Sequence, residues 1–403
     1  LYPNPKHIFS TNPASNWRLS DFNLKPVGSG LYVFDGYDKE ASGFINQYRM
    51  KPNESYSGGA GAGGGKNIPP FIAHVRFDFF SDSDTLLSAF NTGAVDGITM
   101  PDIGTLINAK RSYHTYAWNI PSYYATFFNQ SQSIPLKDLA VRKALGVSID
   151  RDALINTVFG GNALPAYGPV PPGSGKATAS STLPDGAVAS KEVAIKLLED
   201  AGWKMGGNSS NSNTSGSDGN DGVRTKTLKD GTVRLTITLT VPQIPFLRKT
   251  AEELKAVWQA LGVEITITEL PTGSTMTETI KNRDYQALLF GNVLGPSLDL
   301  YPFWHSKERF APGLNLSLYS NKTLDALAEA IERETGENVR VGKLAQAEQL
   351  IAADAPAVFL YSPNYLSLTS KDIKGIQPHL IAEPADRFLD LAKWYVNTTR
   401  AVE

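Results

Sequence analysis

Residues 57–66 read SGGAGAGGGK. A glycine run ending in lysine is the pattern that wraps a nucleotide's phosphates in backbone N–H groups. That chemistry requires a glycine, four residues, then Gly-Lys and a hydroxyl for magnesium. Here Ala60 stands where the first glycine belongs and Asn67 where the hydroxyl belongs. The residues that follow, Ile68-Pro69-Pro70-Phe71, cannot open the helix whose N-terminus would face the phosphate. The run therefore reads as a lengthened surface loop with Lys66 in water.

Other reactive side chains are sparse. The five histidines, His7, His74, His114, His305 and His379, show no metal-ligand spacing. His305 stands apart from the rest because it adjoins Trp304 after a Gly/Pro-rich loop. Cysteine is absent, which excludes a disulfide, a thiolate nucleophile or a zinc–cysteine site within the chain. Zero cysteines fit an exported protein better than a cytosolic one. No G-x-S-x-G is present. The carboxylate pairs Asp82/Asp84 and Asp150/Asp152 sit at helix starts, where capping accounts for them. No catalytic residue, metal or cofactor is expected.

The elements that must position any site come next. A chain of 403 residues exceeds one ordinary core, so two lobes are expected. Apolar residues make up 41% and charged residues 19%, with a net charge of −2. There is no basic excess to neutralise phosphates, so nucleic acid is not an expected partner. No apolar run approaches the roughly 20 residues of a membrane helix. LYPNPKHIFS at the start has neither initiator methionine nor signal pattern, so a leader has been removed or the chain begins inside a longer protein.

Alternation predicts a strand over 71–79 with Phe71, Ala73, Val75, Phe77 and Phe79 on a buried face. Leu136, Leu139, Ala140, Ala144 and Leu145 predict a helical face, and Asp150 caps a second helix. Residues 163–175 are too rich in proline for a central strand, and 205–222 are low-complexity. From 233 onward strands alternate with helices, including one over 246–262 with Leu247, Ala251, Leu254, Val257, Trp258 and Leu261 inward. That alternation predicts a mainly parallel sheet. Aromatic residues gather at 123–128, 301–304 and 361–365. Aromatic and amide side chains converging between two α/β lobes would make a cleft for a small organic solute.

Several segments, in order, carry a family resemblance. LKPVGSGLYVF resembles the N-P-V-G-T-G-P-Y segment of bacterial extracellular solute-binding proteins of family 5, the peptide- and nickel-binding type that serves ABC importers. NESYSG, then VRFDFFSDSDTLLSAFNTGAVDGI, resembles the family's N-x-x-Y-x-G, strand and helix ending in G-x-V-D. The stretch from Phe127 to Gly173 is similar to its N-x-x-x-x-P-x-x-D-x-x-V-R-x-A-I, D-R and proline-rich crossing. AIKLLEDAGW, ALGVEITI, LYSNKTLDALAEA and APAVFLY continue the pattern.

The resemblance implies an α/β, two-lobed periplasmic-binding-protein-like fold of type II, the peptide-binder type. Lobe one would span 1–137, lobe two 138–367, and a return segment 368–403. The family carries a sizeable part before P-V-G-T-G, whereas only residues 1–25 precede Pro26 here. Lobe one is thus expected to be incomplete, with a partner segment completing it. The implied role is capture of a small organic ligand, an oligopeptide above all, for delivery to an ABC permease. The implied location is periplasmic or extracellular, held at the membrane by a lipid anchor or by the permease. Peptide binders of the family place an aspartate after the strand matching YQALLFGNV, where it pairs with the ligand's amino terminus. Here Phe290–Gly295 contains no acid before Asp299. A neutral ligand such as an oligosaccharide therefore stays open, as does a hydrolase or sensor on the same scaffold. Strand-end position and resemblance together make Tyr123, Phe127, Phe290, Asn292 and Trp304 the expected ligand-binding residues.

Overall fold

The computed structural model describes residues 9–10, 13–56, 70–100, 109–174, 189–206, 222–295 and 297–396. His7, the glycine run, the helix expected from Pro101 and most of the low-complexity segment lie outside those residues. The chain divides into two compact units. Unit 1 comprises 1–117, 366–379 and 384–403; unit 2 comprises 118–365 and 380–383. The first crossing thus falls at Ala117–Trp118, earlier than the boundary at 137 expected from sequence. The strand Ser122–Phe128, expected in lobe one, is hydrogen-bonded within the large sheet of unit 2.

In unit 1, β1 (Tyr32–Lys39), β2 (Ile45–Pro52) and β3 (Val75–Asp78) form an antiparallel sheet. β3 is much shorter than the strand expected over 71–79, because its pairing covers only Gln47–Met50 of β2. Phe71 and Phe79 are half exposed, and the rings of Phe71 and Phe77 meet Tyr395 and Phe388 of the C-terminal segment. The helix Ser83–Thr92 is capped by Asp82, whose carboxylate accepts from Thr85 N at 2.8 Å. Gly93 at φ +78° closes it. Leu87 and Phe90 of this helix pack with Ile98, Leu366 and Leu368 into a small core. The strands concerned, β4 (Gly97–Met100), β5 (Tyr113–Trp118) and β15 (Tyr365–Ser370), pair in the order β4-β15-β5.

Unit 2 is built on a six-stranded sheet. Its strands are β6 (Ser122–Phe128), β7 (Ala163–Pro165), β11 (Thr236–Pro242), β12 (Glu264–Leu270), β13 (Ala287–Val293) and β14 (Ala357–Pro363), in the order β12-β11-β13-β6-β14-β7. β11 runs parallel to β12 and β13, but β6 is antiparallel to both its neighbours and β7 to β14. The sheet is therefore mixed rather than mainly parallel. The proline-rich segment does enter it, but only as the edge strand β7, where a missing N–H is tolerated. Between them in sequence, β8 (Lys204–Met205), β9 (Arg224–Leu228) and β10 (Gly231–Arg234) form a separate small sheet.

Helix Pro245–Gln259 buries Leu247, Thr250, Ala251, Leu254 and Trp258, close to the predicted stripe. Helix Leu139–Val147 buries Val141, Arg142, Ala144 and Leu145, while Leu139 is exposed. The predicted face was out of phase because Asp138 (φ −75°, ψ 120°) ends the turn Ile134–Lys137 and caps a new helix.

Asp138 ties three segments together. Its carboxylate accepts from Ala140 N at 3.0 Å, Trp203 Nε1 at 3.0 Å and Lys226 Nζ at 2.7 Å. Partial burial opposes its ionisation, but these donors outweigh burial and hold the carboxyl below its ordinary range. Stability from such a group is present above the unfolded-state pKa, about 4, and is lost as pH falls through the lower folded value. D138N should therefore destabilise unit 2 by roughly 1–3 kcal/mol at pH 7. The gap to wild type should shrink as urea melts are repeated at progressively lower pH below about 4.

Candidate functional site

β6 lies between β13 and β14, so its side chains divide between two covered faces. Tyr123, Ala125 and Phe127 share one face with Leu288 and Asn292 of β13, since Asn292 stands opposite Tyr123 in register. The other face holds Tyr124 against Phe246 and Tyr361. Gly291 is required there, because a Cβ would lie 2.6 Å from the Tyr124 ring.

On the first face the hydroxyl of Tyr123 is a junction. It accepts from Asn292 Nδ2 at 2.9 Å and from Trp304 Nε1 at 3.1 Å. Burial pushes the phenol well above its ordinary pKa, and the two donors offset this only in part. The group stays protonated, and with two donors on its oxygen it has only its hydrogen to offer a further partner. Phe359 meets both rings, with centroids 5.2 Å from Tyr123 and 5.8 Å from Trp304, and Phe127 lies 6.3 Å from Trp304.

All five expected residues thus gather on one face of one sheet. Tyr123, Phe127, Asn292 and Trp304 are buried; Phe290 packs against the same cluster and is partly open. The four do not line an open wall as expected. They hold one another, because Leu324, Ile331, Leu344, Ala347 and Ile351 of the helices Lys322–Arg333 and Glu337–Asp354 cover that face.

Trp304 belongs to the short helix Tyr301–Trp304, where Asp299 accepts from Tyr301 N at 2.9 Å. His305 follows it and is buried, its ring stacked on Tyr301 at 4.2 Å. Its Nδ1 accepts from Lys307 N at 3.1 Å, which leaves the proton of the neutral ring on Nε2, 3.5 Å from Glu329 Oε1. The histidine serves as a cap for the turn Ser306–Arg309. Among the described residues no group of three or more His, Asp and Glu side chains could hold a metal.

Sequence reasoning missed Asn315 and Arg283. Asn315 is fully buried and donates to the carbonyls of Trp304, His305 and Tyr319, while its Oδ1 accepts from Tyr319 N at 3.1 Å. Arg283, at φ +58°, donates to Arg309 O at 3.0 Å and Gly313 O at 2.7 Å. Neither belongs to a periodic pattern, so no local signal marks them.

Solved structures of the same α/β architecture include the oligopeptide-binding protein AppA of Bacillus subtilis in complex with a nonapeptide. Its TM-score is 0.66 at 23% identity, covering 98% of this chain and 72% of that one. The ABC transporter substrate-binding protein CtaP of Listeria monocytogenes gives 0.73 at 21% identity, covering 98% and 71%. The fold is therefore that of the solute-binding proteins. Residues 1–310 match the bacterial extracellular solute-binding proteins, family 5 (middle), and the chain belongs to that family.

Curated relatives include the oligopeptide-binding protein AppA of B. subtilis strain 168 (25% identical, 97% of this chain, 66% of the relative). Protein XP55 of Streptomyces lividans is 25% identical, covering 93% and 62%. The dipeptide-binding protein of Escherichia coli K12 is 21% identical, covering 88% and 59%. This chain thus spans about two thirds or less of their lengths.

The junction at Tyr123 is testable by stability. Y123F leaves the buried donors of Asn292 and Trp304 without their acceptor, which should cost about 2 kcal/mol or more. In a Y123F/N292A double-mutant cycle by urea denaturation, the two substitutions should couple by roughly 1 kcal/mol. Additive effects would show that the hydroxyl is not the junction.

Proposed function

We propose that this chain is the ligand-capturing component of an ABC importer, acting outside the cytoplasm and passing a peptide to a membrane-embedded permease. The observation that carries this is the match of residues 1–310 to a solute-binding family, with curated relatives named for oligopeptide and dipeptide binding. Attachment to the envelope, through a lipid anchor or through the permease, belongs to the same reading. Among the described residues no helix is long and apolar enough to cross a membrane. On this reading the protein performs no chemistry. Ligand stabilises one conformation by its differential affinity, and that conformation is the one the permease accepts.

In the ligand site we assign Phe290 to direct contact. Tyr123, Phe127, Asn292 and Trp304 lie beneath it and fix the end of β13. The side chain available after that strand is the amide of Asn292, and the carboxylate of Asp299 already accepts from a backbone N–H. This favours recognition of the peptide main chain over pairing with a free ammonium.

Titration calorimetry on the full chain tests the reading with one nonapeptide, free and N-acetylated. Both forms should bind, acetylation weakening affinity by less than about tenfold. Binding of an oligosaccharide but of neither peptide would overturn the peptide assignment. Cleavage of the peptide would overturn the non-enzymatic one.

A further inference from the structure

We infer that Phe310 is a ligand-contacting residue on unit 2 that receives an apolar side chain of the bound peptide; this rests on the peptide reading above. Among the described residues of unit 2, the two most exposed large apolar side chains are Phe310 at 64% and Val293 at 60%. Both are carried by the donors to the Tyr123 hydroxyl. Val293 follows Asn292 directly, and the loop bearing Phe310 hangs from Trp304, whose carbonyl accepts from Asn315 Nδ2.

That loop is fixed before any partner arrives. Arg283 holds the carbonyls of Arg309 and Gly313. Gly313 N donates to Phe310 O at 2.8 Å, Leu314 N to Pro302 O at 3.2 Å, and Asn315 N to Glu308 O at 2.9 Å. A side chain at Gly313 would overlap the Glu308 main chain. An aromatic ring held in water by a rigid loop loses little freedom on contact, which is the property of a binding anchor. The tip, Phe310-Ala311-Pro312-Gly313-Leu314, carries no charge, so the matching group on the ligand is an apolar side chain. Continuity with the Tyr123 junction favours the captured peptide over a lipid surface or a second protein.

The test compares wild type, F310A and F310W against two nonapeptides, one alternating Ala and Phe, the other alternating Ala and Ser. F310A should weaken the Phe peptide about tenfold and the Ser peptide less than about twofold. F310W should bind both as wild type does, and all three proteins should melt at the same temperature. Equal effects on both peptides, or none, would overturn the inference. Unchanged peptide binding together with weaker binding to phosphatidylglycerol vesicles would reassign Phe310 to the membrane. Wild type that binds neither peptide would overturn the peptide reading and this inference with it.

Discussion

Unit 2 depends on guanidinium groups buried against main-chain carbonyls. Arg142 donates to Leu136 and Lys137 on one side and to Asp354 and Ala355 on the other. Arg151 joins Ala166 to Phe359, each at 2.9 Å, and Arg224 joins Trp203 to Leu261. Arg283 closes the set at Arg309 and Gly313. All four are buried. Most of these carbonyls stand at turns, helix ends or loops, where no ladder reaches them, and an orphaned buried carbonyl is costly. Arginine suits the task because its donors form a rigid planar fork and its charge is weakly hydrated. Burial still lowers the affinity of Arg151 for its proton, to a pKa of about 10. Lysine, with one nitrogen on a flexible stem, could not span two segments in this way.

This constraint explains the division between what is legible in the sequence and what is not. The helix Pro245–Gln259 and its buried stripe are legible because a surface helix must repeat its apolar residues at its own period. The four arginines are not legible, since each partners a carbonyl that every residue possesses. Nor is the phase of Leu139–Val147, which turns on one backbone angle at Asp138. In β3 the alternation was real, but pairing sets strand length and β2 offers only four partners.

The same limit applies to the candidate site. Aromatic clustering around Tyr123 and Trp304 was legible, and so was the amide at Asn292. Their direction was not, because a strand covered on both faces is apolar throughout and alternation no longer distinguishes one face from the other. β6 is such a strand, buried at every position but Tyr124. Resemblance to a family supplied the architecture and the role. The register of Asn292 against Tyr123 supplied the reason that these side chains hold one another.

The order β4-β15-β5 has a consequence for how the molecule is made. Its middle strand, β15, is encoded after nearly the whole of unit 2, while its two neighbours come before it. During synthesis β4 and β5 therefore emerge without the strand that separates them and must wait while a long intervening chain is produced. Contacts of such large sequence separation form slowly, and unpaired strand edges are prone to wrong partners in the meantime. Unit 2, nearly continuous in sequence, can reach its fold first. The sheet of unit 1 is then the last part to close, and its closing strand follows directly from β14 of the large sheet.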